Sequence, residues 1–496
     1  MKYESTRGDF SKTDAAEAIA LGISKDGGLF VPESFPVFMQ EDIKRLAKMS
    51  YSERAAYTMG LFLDGFDPGE LKSFTDAAYG RGRFDSDLAA VICKTGNNTY
   101  FLELWHGPTC AFKDMALQVM PHLLTASLNK IGEKREACIL VATSGDTGKA
   151  ALEGFRDVPG TRIMVFYPKD GVSDIQELQM TSQAGENVNV AAVKGNFDDT
   201  QSAVKEIFSD NVLSAGLSKR GYFLTSANSI NWGRLVPQIA YYVSAYCDLL
   251  AKKEIKLGEK INFCVPTGNF GNILAAYYAY MMGLPINKLI CASNRNDVLR
   301  QFINTGTYDK NRAFYTTVSP SMDILISSNL ERLLYELSDK DGDAVRSYMA
   351  ALTDKGCYDI APSVLRKIRD IFVSGYCDEE DTLRTIDDTF RNESYLIDTH
   401  TAVAYKALKD YRARSGDQTA AVVVSTASPF KFCQSVLTAL GQSCRAGGAE
   451  QIDMLSQLTG VPAPLPLLAL RQARPRFTTT IDKKEMKSAV AEFLGG

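Results

Sequence analysis

From about residue 90 onward the sequence repeats one pattern: a short apolar run, a loop rich in Gly, Ser, Thr or Asn, and then a helical segment. Short apolar runs bounded by turn residues are typical of buried strands. Strands that alternate with helices indicate parallel sheets with helices on both faces. We therefore predict an α/β fold whose strands include residues 138–142, 162–167, 188–193, 261–265, 289–291 and 421–425.

Helices are predicted between these strands. One covers residues 149–155, another covers 271–282, and a third follows residue 193, where Asp198 or Asp199 is a candidate cap. Residues 330–415 are charged and helical in pattern, and we expect them to serve packing or the surface. Ligands of parallel sheets bind beyond the carboxyl ends of the strands. The loops after residues 142, 265 and 425 are therefore the expected positions of a functional site.

The first eighty or so residues do not follow this alternation of strands and helices and are predicted to form a separate unit. Thr13 or Asp14 is suited to cap a helix over 15–21, and a Gly-rich turn at 26–28 precedes an extended segment. Further helical patterns cover 42–49 and 52–62. We predict an N-terminal domain, a core that contains a smaller subdomain at roughly 105–215, and a less regular C-terminal extension, with the bounds 1–82, 83–446 and 447–496.

Composition excludes several classes of protein. The 55 basic and 59 acidic residues give a net charge of −4, with no basic stripe for nucleic acid and no polybasic membrane patch. The ten cysteines lack Cys-x-x-Cys spacing, which favours a reducing compartment. The N-terminus has no apolar signal region, and no apolar stretch approaches the length of a membrane span. We expect a cytoplasmic protein.

The scarcity of histidine limits the chemistry further. The three histidines, His106, His122 and His400, stand in unrelated contexts, so a zinc site with several His ligands is not expected. A serine hydrolase is also disfavoured, since the sequence lacks a Gly-x-Ser-x-Gly elbow. We expect no metal. His122 and His400 are interpreted as structural or surface residues.

Two loops that join a strand to a helix are candidate anion sites. The loop Pro266-Thr-Gly-Asn-Phe-Gly-Asn272 combines glycines with a helix start, which suits a phosphate, although a purely structural turn is an equal alternative. It lacks both Gly-x-Gly-x-x-Gly and the Gly-Lys-Ser/Thr of a Walker loop. The loop Thr143-Ser-Gly-Asp-Thr-Gly-Lys149 offers hydroxyls and N–H groups to an anion such as a carboxylate, with a capped turn as its alternative.

Lys113 is the third candidate. It follows a Gly-Pro turn, a threonine and an aromatic residue, a context that is consistent with an enclosed lysine. A lysine becomes a nucleophile when burial or nearby cations lower its pKa. Because most lysines are exposed to solvent, the position of Lys113 carries little weight alone. It gains weight from its place in the chain, ahead of both anion loops.

In this order the three features resemble the fold type II pyridoxal-phosphate enzymes related to tryptophan synthase β, and among them the threonine synthase family. His106-Gly-Pro-Thr-x-x-Phe-Lys-Asp-x-Ala116 is similar to that family's Schiff-base segment. Ser144-Gly-Asp-Thr-Gly148 resembles its substrate-anion loop, and Gly268-Asn-Phe-Gly-Asn272 its cofactor-phosphate loop.

Further motifs extend the resemblance from residue 3 to about 435. Ser5-Thr-Arg7 and the segment 26–32 are similar to the family's N-terminal domain. Ser229-Ile-Asn-Trp-Gly-Arg234 and Thr426-Ala-x-Pro429 also fit. Two positions depart from the pattern: Ser428 stands where the longer branch of the family often has His, and Lys149 stands where a small residue is common.

The resemblance implies conversion of O-phospho-L-homoserine and water into L-threonine and phosphate by γ-elimination and β-addition. Lys113 would form a Schiff base with pyridoxal 5'-phosphate and move protons. Thr426 would hydrogen-bond the pyridine nitrogen, and the cofactor phosphate would bind to Gly268, Asn269, Phe270, Gly271 and Asn272. The substrate carboxylate would bind at Ser144, Gly145, Asp146 and Thr147, and its phosphate at Lys149, Asn231 and Arg234, although Arg234 has a structural ion pair as an equal alternative.

Other functions fit the same motifs less well. A serine/threonine ammonia-lyase of the same fold would share the lysine and both loops, but the N-terminal domain argues against it. A pseudo-enzyme that binds the cofactor without turnover is disfavoured by the intact lysine. We expect a small-molecule substrate, no nucleic-acid or membrane partner, and a monomer or homodimer.

Overall fold

The computed structural model describes residues 1–9, 11–80, 82–85, 88–96, 98–195, 197–443 and 447–495. Its strands are β1 (Tyr3–Ser5), β2 (Phe30–Pro32), β3 (Val91–Gly96), β4 (Thr99–Glu103), β5 (Glu136–Ala142), β6 (Thr161–Pro168), β7 (Val188–Lys194), β8 (Tyr222–Thr225), β9 (Ile261–Pro266), β10 (Ile286–Ser293), β11 (Thr307–Asp309), β12 (Cys357–Asp359), β13 (Phe372–Tyr376), β14 (Ala421–Ser425) and β15 (Thr480–Asp482).

The α-helices of the same residues lie between and after these strands. They are α1 (Ala15–Leu21), α2 (Gln40–Leu46), α3 (Tyr51–Gly60), α4 (Pro68–Tyr79), α5 (Asp114–Leu117), α6 (Met120–Lys130), α7 (Asp146–Phe155), α8 (Asp174–Thr181), α9 (Phe197–Ser209), α10 (Asn211–Lys219), α11 (Trp232–Ala251), α12 (Gly271–Met281), α13 (Val298–Thr305), α14 (Leu330–Leu337), α15 (Gly342–Asp354), α16 (Pro362–Ile371), α17 (Glu379–Glu393), α18 (Thr399–Ser415), α19 (Cys433–Ala439), α20 (Glu450–Thr459), α21 (Leu465–Leu468) and α22 (Met486–Phe493). None of them is long and apolar enough to cross a membrane.

Two sheets form the framework of the described chain. The larger has the strand order β13-β10-β9-β14-β4-β3 and is parallel except for the hairpin of β3 and β4. The smaller has the order β15-β7-β6-β5-β8 and is parallel throughout. Helices cover their faces, which explains why central strands such as β9 and β14 are buried along their whole length. The predicted α/β fold with parallel sheets is confirmed.

The N-terminal segment packs on this framework through its own small sheet. Strands β1 and β2 pair antiparallel, and Asp14 caps α1 as predicted by accepting a hydrogen bond from the N–H of Glu17. Glu331 of α14 accepts hydrogen bonds from Thr6 and from both nitrogens of one edge of Arg7. A buried glutamate with three donors is satisfied, so these contacts hold the N-terminal segment against the larger sheet's helices.

The structure corrects several predicted elements. The region 330–415 is helical except at β12 and at β13, which forms the edge of the larger sheet, and the C-terminal extension supplies β15 to the smaller sheet. Both edge strands are short and pair with strands distant in sequence, so local periodicity does not reveal them. Helix α7 begins at Asp146 rather than 149, and α9 begins at Phe197, which leaves Asp198 and Asp199 inside its first turn. The predicted boundary at 446 lies outside the described residues.

Candidate active site

A cavity of about 740 Å³ opens at the carboxyl ends of the strands, between the two sheets. Residues that follow β5, β9 and β14 line it, as the sequence predicted for the loops after 142, 265 and 425. The turn after α1 and the helix α9 complete the wall. The predicted residues that line the cavity are Lys113, Ser144, Thr147, Arg234, Gly268, Asn269, Phe270, Gly271, Asn272 and Thr426.

The loop before α5 holds Lys113 in the wall of the cavity. The Asp114 carboxylate accepts hydrogen bonds from the N–H and the hydroxyl of Thr109, both at 2.8 Å. A Cβ at Gly107 would lie 2.5 Å from that carboxylate, so the turn requires glycine. The N–H of Phe112 donates to the carbonyl of Thr426 at 2.8 Å. These contacts fix the lysine beside Thr426 and leave it only 8% exposed.

The Lys113 amine lies among few polar groups. Its Nζ is 3.4 Å from Oδ2 of Asp146, 3.3 Å from the hydroxyl of Ser321 and 4.8 Å from the centre of the Phe112 ring. Burial lowers the pKa of Lys113; Asp146 opposes this shift, and the charges of Lys431 and Arg234 add to it. A lysine with a lowered pKa is a better nucleophile and proton carrier than an exposed lysine.

Asp146 faces the lysine rather than a substrate carboxylate. Its Oδ1 accepts a hydrogen bond from Gln176 at 2.8 Å and lies 2.9 Å from the ammonium of Lys431. Burial alone would raise the pKa of Asp146, but the charges of Lys431 and Lys113 hold it well below its ordinary value. A buried carboxylate repels a second carboxylate, so the side chain of Asp146 is not suited to bind the substrate carboxylate.

The remaining predicted residues of the loop 143–149 differ in whether they line the cavity. Ser144 and Thr147 line the cavity, whereas Gly145 does not. Gly145 has a φ of +124°, and a Cβ there would meet the side chain of Gln176 at 2.5 Å. The hydroxyl of Thr143 accepts the N–H groups of Gly145 and Gly148, so the loop turns tightly into α7. Its hydroxyls and the helix start remain suited to an anion.

The loop after β9 forms a cradle of backbone N–H groups. Its carbonyls are held from behind: Ser327 donates to the carbonyl of Gly268 at 2.7 Å, and Asn329 donates to that of Asn269 at 3.0 Å. Phe270 has a φ of +63°, which turns the chain into α12. In the described part of the chain, no protein group accepts from the N–H groups of residues 268–272. Free N–H groups at a helix start bind phosphate.

The side chain of Asn272 extends this cradle. Its Oδ1 accepts hydrogen bonds from the hydroxyls of Tyr241 and Tyr242, while its Nδ2 has no partner among the described residues. Asn272 is 7% exposed and lines the cavity. A buried donor without a partner is costly, and a phosphate oxygen in the cavity would satisfy it.

Arg234 is a buried cation in the cavity wall. It lies at the start of α11 and donates to the carbonyl of Ala227 at 2.6 Å. Its Nε has no partner, and no carboxylate of the described ranges pairs with it. Burial lowers the pKa of Arg234 to about 10. The structural ion pair, which was the alternative for this residue, is therefore absent from the described chain.

Two predicted residues are placed elsewhere. Lys149 points away from the cavity and contacts Gln183 and Glu153. Asn231 caps α11 and donates to the carbonyl of Ile19. Asn228 and Ser229, which shortly precede Asn231 in the chain, line the cavity instead. The motifs indicated which segments approach the cavity but not which of their side chains face it.

Sequence reasoning missed the contributions of distant segments. Ser321 and Met322 lie in a short 3₁₀ turn that reaches the cavity, and the N–H of Ser321 donates to Nε2 of His400 at 3.1 Å. His400, interpreted above as structural or surface, lines the cavity, and its Nδ1 lies 2.7 Å from the buried carboxylate of Asp398. His122, by contrast, stacks on Phe74 outside the cavity, as expected of a structural residue.

The chain is similar to known proteins along most of its length. The chain matches the family described as "Threonine synthase N terminus" over residues 2–79, "Pyridoxal-phosphate dependent enzyme" over 90–427 and "Threonine synthase, C-terminal" over 401–487. The threonine synthase of Pseudomonas aeruginosa is 39% identical over 445 residues, which are 89% of this chain and 91% of the relative. This chain belongs to the threonine synthase family.

Other members of the threonine synthase family are similar over different extents. The human threonine synthase-like 1 protein is 40% identical over 90% of this chain, but the chain spans only 61% of the length of that relative. The crystal structure of the PLP-bound threonine synthase from Brucella melitensis has a TM-score of 0.88 at 36% identity, over 100% of both chains. The yeast threonine synthase has a TM-score of 0.88 at 33% identity, over 100% of this chain and 99% of its own.

The residues of this threonine synthase family member fit pyridoxal phosphate. The unpaired Nδ2 of Asn272 and the free N–H groups of residues 268–272 suit its phosphate. The Lys113 amine, with its lowered pKa, suits its aldehyde carbon. Thr426 lies beside the lysine and is 5% exposed, which suits contact with an uncharged ring nitrogen. The donor set therefore matches a phosphorylated aldehyde.

The environment of His106, which begins the segment that carries Lys113, predicts that the stability of the protein depends on pH. Its ring contacts the carboxylates of Asp85 at 2.5 Å and Glu103 at 2.7 Å. Burial opposes the charge on His106, but the two carboxylates outweigh it and raise its pKa from 6.5 to about 9. This stabilisation is fully present below pH 6.5 and is lost as the pH rises through about 9. It contributes ~3 kcal/mol to the free energy of unfolding.

Urea unfolding at pH 6 and pH 10 checks this expectation. The wild type is expected to lose more stability between these pH values than the variant His106→Gln. An equal loss in both proteins would contradict the assignment of the effect to this imidazole.

Proposed function

We propose that this protein converts O-phospho-L-homoserine and water into L-threonine and phosphate with pyridoxal 5'-phosphate as its cofactor. The observation that carries the proposal is the content of one cavity: a buried lysine of lowered pKa, a cradle of free N–H groups, and the unpaired Arg234. A phosphorylated cofactor and a phosphorylated substrate together require two anion sites. The similarity to threonine synthases over the chain supports the choice of substrate.

The residues of the cavity have distinct proposed roles. When bound, pyridoxal phosphate supplies an electron sink for reactions at the substrate's Cα. Lys113 holds it through Nζ and, when released, moves protons at Cα and Cβ. The N–H groups of residues 268–272 bind its phosphate with Asn272, and the Thr426 hydroxyl contacts its ring nitrogen.

The substrate is proposed to lie between the cofactor and α11. Arg234, with Asn228 and Ser229, binds the substrate phosphate, because the guanidinium offers paired donors to phosphate oxygens. Ser144 and Thr147 bind the substrate carboxylate at the start of α7. Lys149, Asn231, Gly145 and Asp146 do not contact the substrate in this arrangement.

Incubation of the purified protein with O-phospho-L-homoserine tests the function. Phosphate and threonine are expected in equal amounts. Release of ammonia from L-serine or L-threonine, without activity on O-phospho-L-homoserine, would favour the ammonia-lyase. Bound cofactor without any product would identify a pseudo-enzyme and overturn the proposal.

Gly268→Ala is expected to weaken binding of the cofactor. A Cβ at this position would lie 2.7 Å from the carbonyl oxygen of Ser321, so the loop or the Ser321 turn must move. Displacement of the N–H groups by about 1 Å is expected to raise the Kd of pyridoxal phosphate on the order of a hundredfold. Equilibrium dialysis with pyridoxal phosphate measures this change. The matched substitution Gly216→Ala, on α10 where a Cβ meets no atom within 4 Å, provides the control.

We further propose that the protein acts in the cytoplasm on a small molecule, as a monomer or homodimer, without a nucleic-acid or membrane partner. The net charge of −4 and the lack of Cys-x-x-Cys spacing among the ten cysteines support this. The domain bounds 1–82, 83–446 and 447–496 likewise stay predictions, and limited proteolysis tests them.

A further inference from the structure

Lys431 is a buried lysine to which none of the roles above is assigned. It ends the short 3₁₀ turn after β14, and its side chain is fully buried. Its Nζ donates to the carbonyl of Thr109 at 2.7 Å and lies 2.9 Å from Oδ1 of Asp146. One ammonium thus joins the end of β14, the loop that carries Lys113, and the start of α7.

The contacts of Asp146 connect Lys431 to Lys113. Oδ1 of Asp146 is occupied by Lys431 and by Gln176, whereas Oδ2 lies 3.4 Å from both the Lys113 amine and the Ser321 hydroxyl. Since each oxygen has its own partners, the carboxylate is held in one orientation. That orientation presents Oδ2 to Lys113.

Asp146 needs a second cationic partner because the charge and position of its first partner, Lys113, change during the proposed reaction. Lys113 is attached to the cofactor in one stage and free in another, so its charge and position vary. Asp146 stays buried throughout, and a buried carboxylate that loses its partner becomes protonated or moves. Lys431 is not among the residues that line the cavity, so neither the cofactor nor the substrate would displace it from Asp146.

We infer that Lys431 is a positioning residue that keeps the Asp146 carboxylate charged and fixed, so that Asp146 receives the Lys113 amine when it is released and aims it into the cavity. The inference rests on the proposed attachment of the cofactor to Lys113 and adds a residue to that site. No bond is made or broken at Lys431 or at Asp146.

The charges around Lys113 determine how its titration responds to substitutions nearby. The charged and titratable groups that face or adjoin the amine are Asp146 of α7, Lys431 after β14, Arg234 of α11, His400 of α18 and Asp114 of α5. Among them Asp146 raises the pKa of Lys113, while Lys431 and Arg234 lower it. Removal of Lys431 and removal of Asp146 are therefore expected to shift the titration of Lys113 in opposite directions.

The experiment compares the holoenzymes of Lys431→Met and Asp146→Asn with the wild type. Both variants are expected to lose kcat on the order of tenfold to a hundredfold, with a smaller change in KM, because the amine is misplaced. The acid limb of kcat against pH, which reports the base in the enzyme–substrate complex, moves to higher pH in Lys431→Met and to lower pH in Asp146→Asn. Lys431→Arg, which keeps the charge, is expected to remain nearer the wild type on the pH axis.

Two further variants serve as controls, one for misfolding and one for the removal of a buried cation elsewhere in the protein. Lys431→Met/Asp146→Asn removes both members of the buried pair, so it leaves no unpaired charge even if a single variant fails to fold. Its acid limb is expected near that of the wild type while kcat stays low. Arg54→Met removes a buried cation that pairs with Asp248 outside the cavity, and it is expected to keep the wild-type pH profile.

The outcomes separate this inference from the proposed function. Shifts in the same direction, or no shift, in cofactor-loaded Lys431→Met and Asp146→Asn would overturn the role of Lys431. A wild type that binds pyridoxal phosphate but forms no threonine would overturn the proposed function alone. In that case the pH titration of the borohydride-reducible cofactor absorbance replaces kcat, and the same opposite shifts are expected.

Discussion

Lys113→Ala is expected to abolish the borohydride-reducible absorbance of bound pyridoxal phosphate and to lower kcat by about 10²–10⁴-fold. The substitution removes the buried amine beside Asp146 and Thr426, so no covalent link to the cofactor forms. It also removes the group proposed to move protons at the substrate's Cα and Cβ. Absorbance spectra before and after borohydride, together with threonine formation, measure both effects.

Lys48→Ala is the control for this experiment, because Lys48 is an exposed lysine outside the cavity. It is expected to retain the absorbance and the activity of the wild type. A borohydride-reducible band that persists in Lys113→Ala would refute the assignment of the cofactor to this lysine.

Arg234→Met is expected to produce the second large effect. The side chain is buried without a carboxylate, and it lies in the wall of the cavity where the substrate phosphate is proposed to bind. Loss of a buried charge pair costs ~2–5 kcal/mol, which predicts a decrease in kcat/KM of roughly 30- to 4000-fold. Initial rates of phosphate release over a range of O-phospho-L-homoserine concentrations measure the change.

Lys149→Met provides the comparison. The sequence offered both cations for the substrate phosphate, but Lys149 contacts Glu153 and Gln183 away from the cavity. Its replacement is expected to change kcat/KM much less than Arg234→Met. A larger loss in Lys149→Met would reverse the assignment of the two residues.

Most of the framework was predictable from local patterns. The strands β5, β9 and β14 follow from short apolar runs, and α1 follows from its cap at Asp14. These signals are strong because central strands that are covered on both faces consist mostly of apolar residues. The edge strands β13 and β15 were not predictable, since their pairing partners are far away in sequence and their own residues are partly polar.

The residues of the candidate site also differ in whether they could be predicted from local sequence. The loop 268–272 and Thr426 follow predicted strands, so the geometry of parallel sheets predicts that they lie at one edge. Lys113, by contrast, was predicted from its motif and from its place ahead of both anion loops. The partners of these residues stand elsewhere. Ser321 and His400 reach the cavity from segments that carry no recognisable local signal. Lys431 closely follows the Thr426-Ala-x-Pro429 motif, but its contact with Asp146 outside the cavity could not be predicted from that motif.

The sequence by itself determined the α/β class, and it predicted a candidate site at the strand ends with Lys113 in it, because these depend on periodicity or on contiguous residues. Only the tertiary structure decided which face of a helix or turn each side chain occupies. It turned Lys149 away, left Arg234 without a carboxylate and directed Asp146 towards Lys113. The physical reason is that burial and charge pairing are set by groups distant in the chain, whereas local sequence fixes only the backbone that carries them.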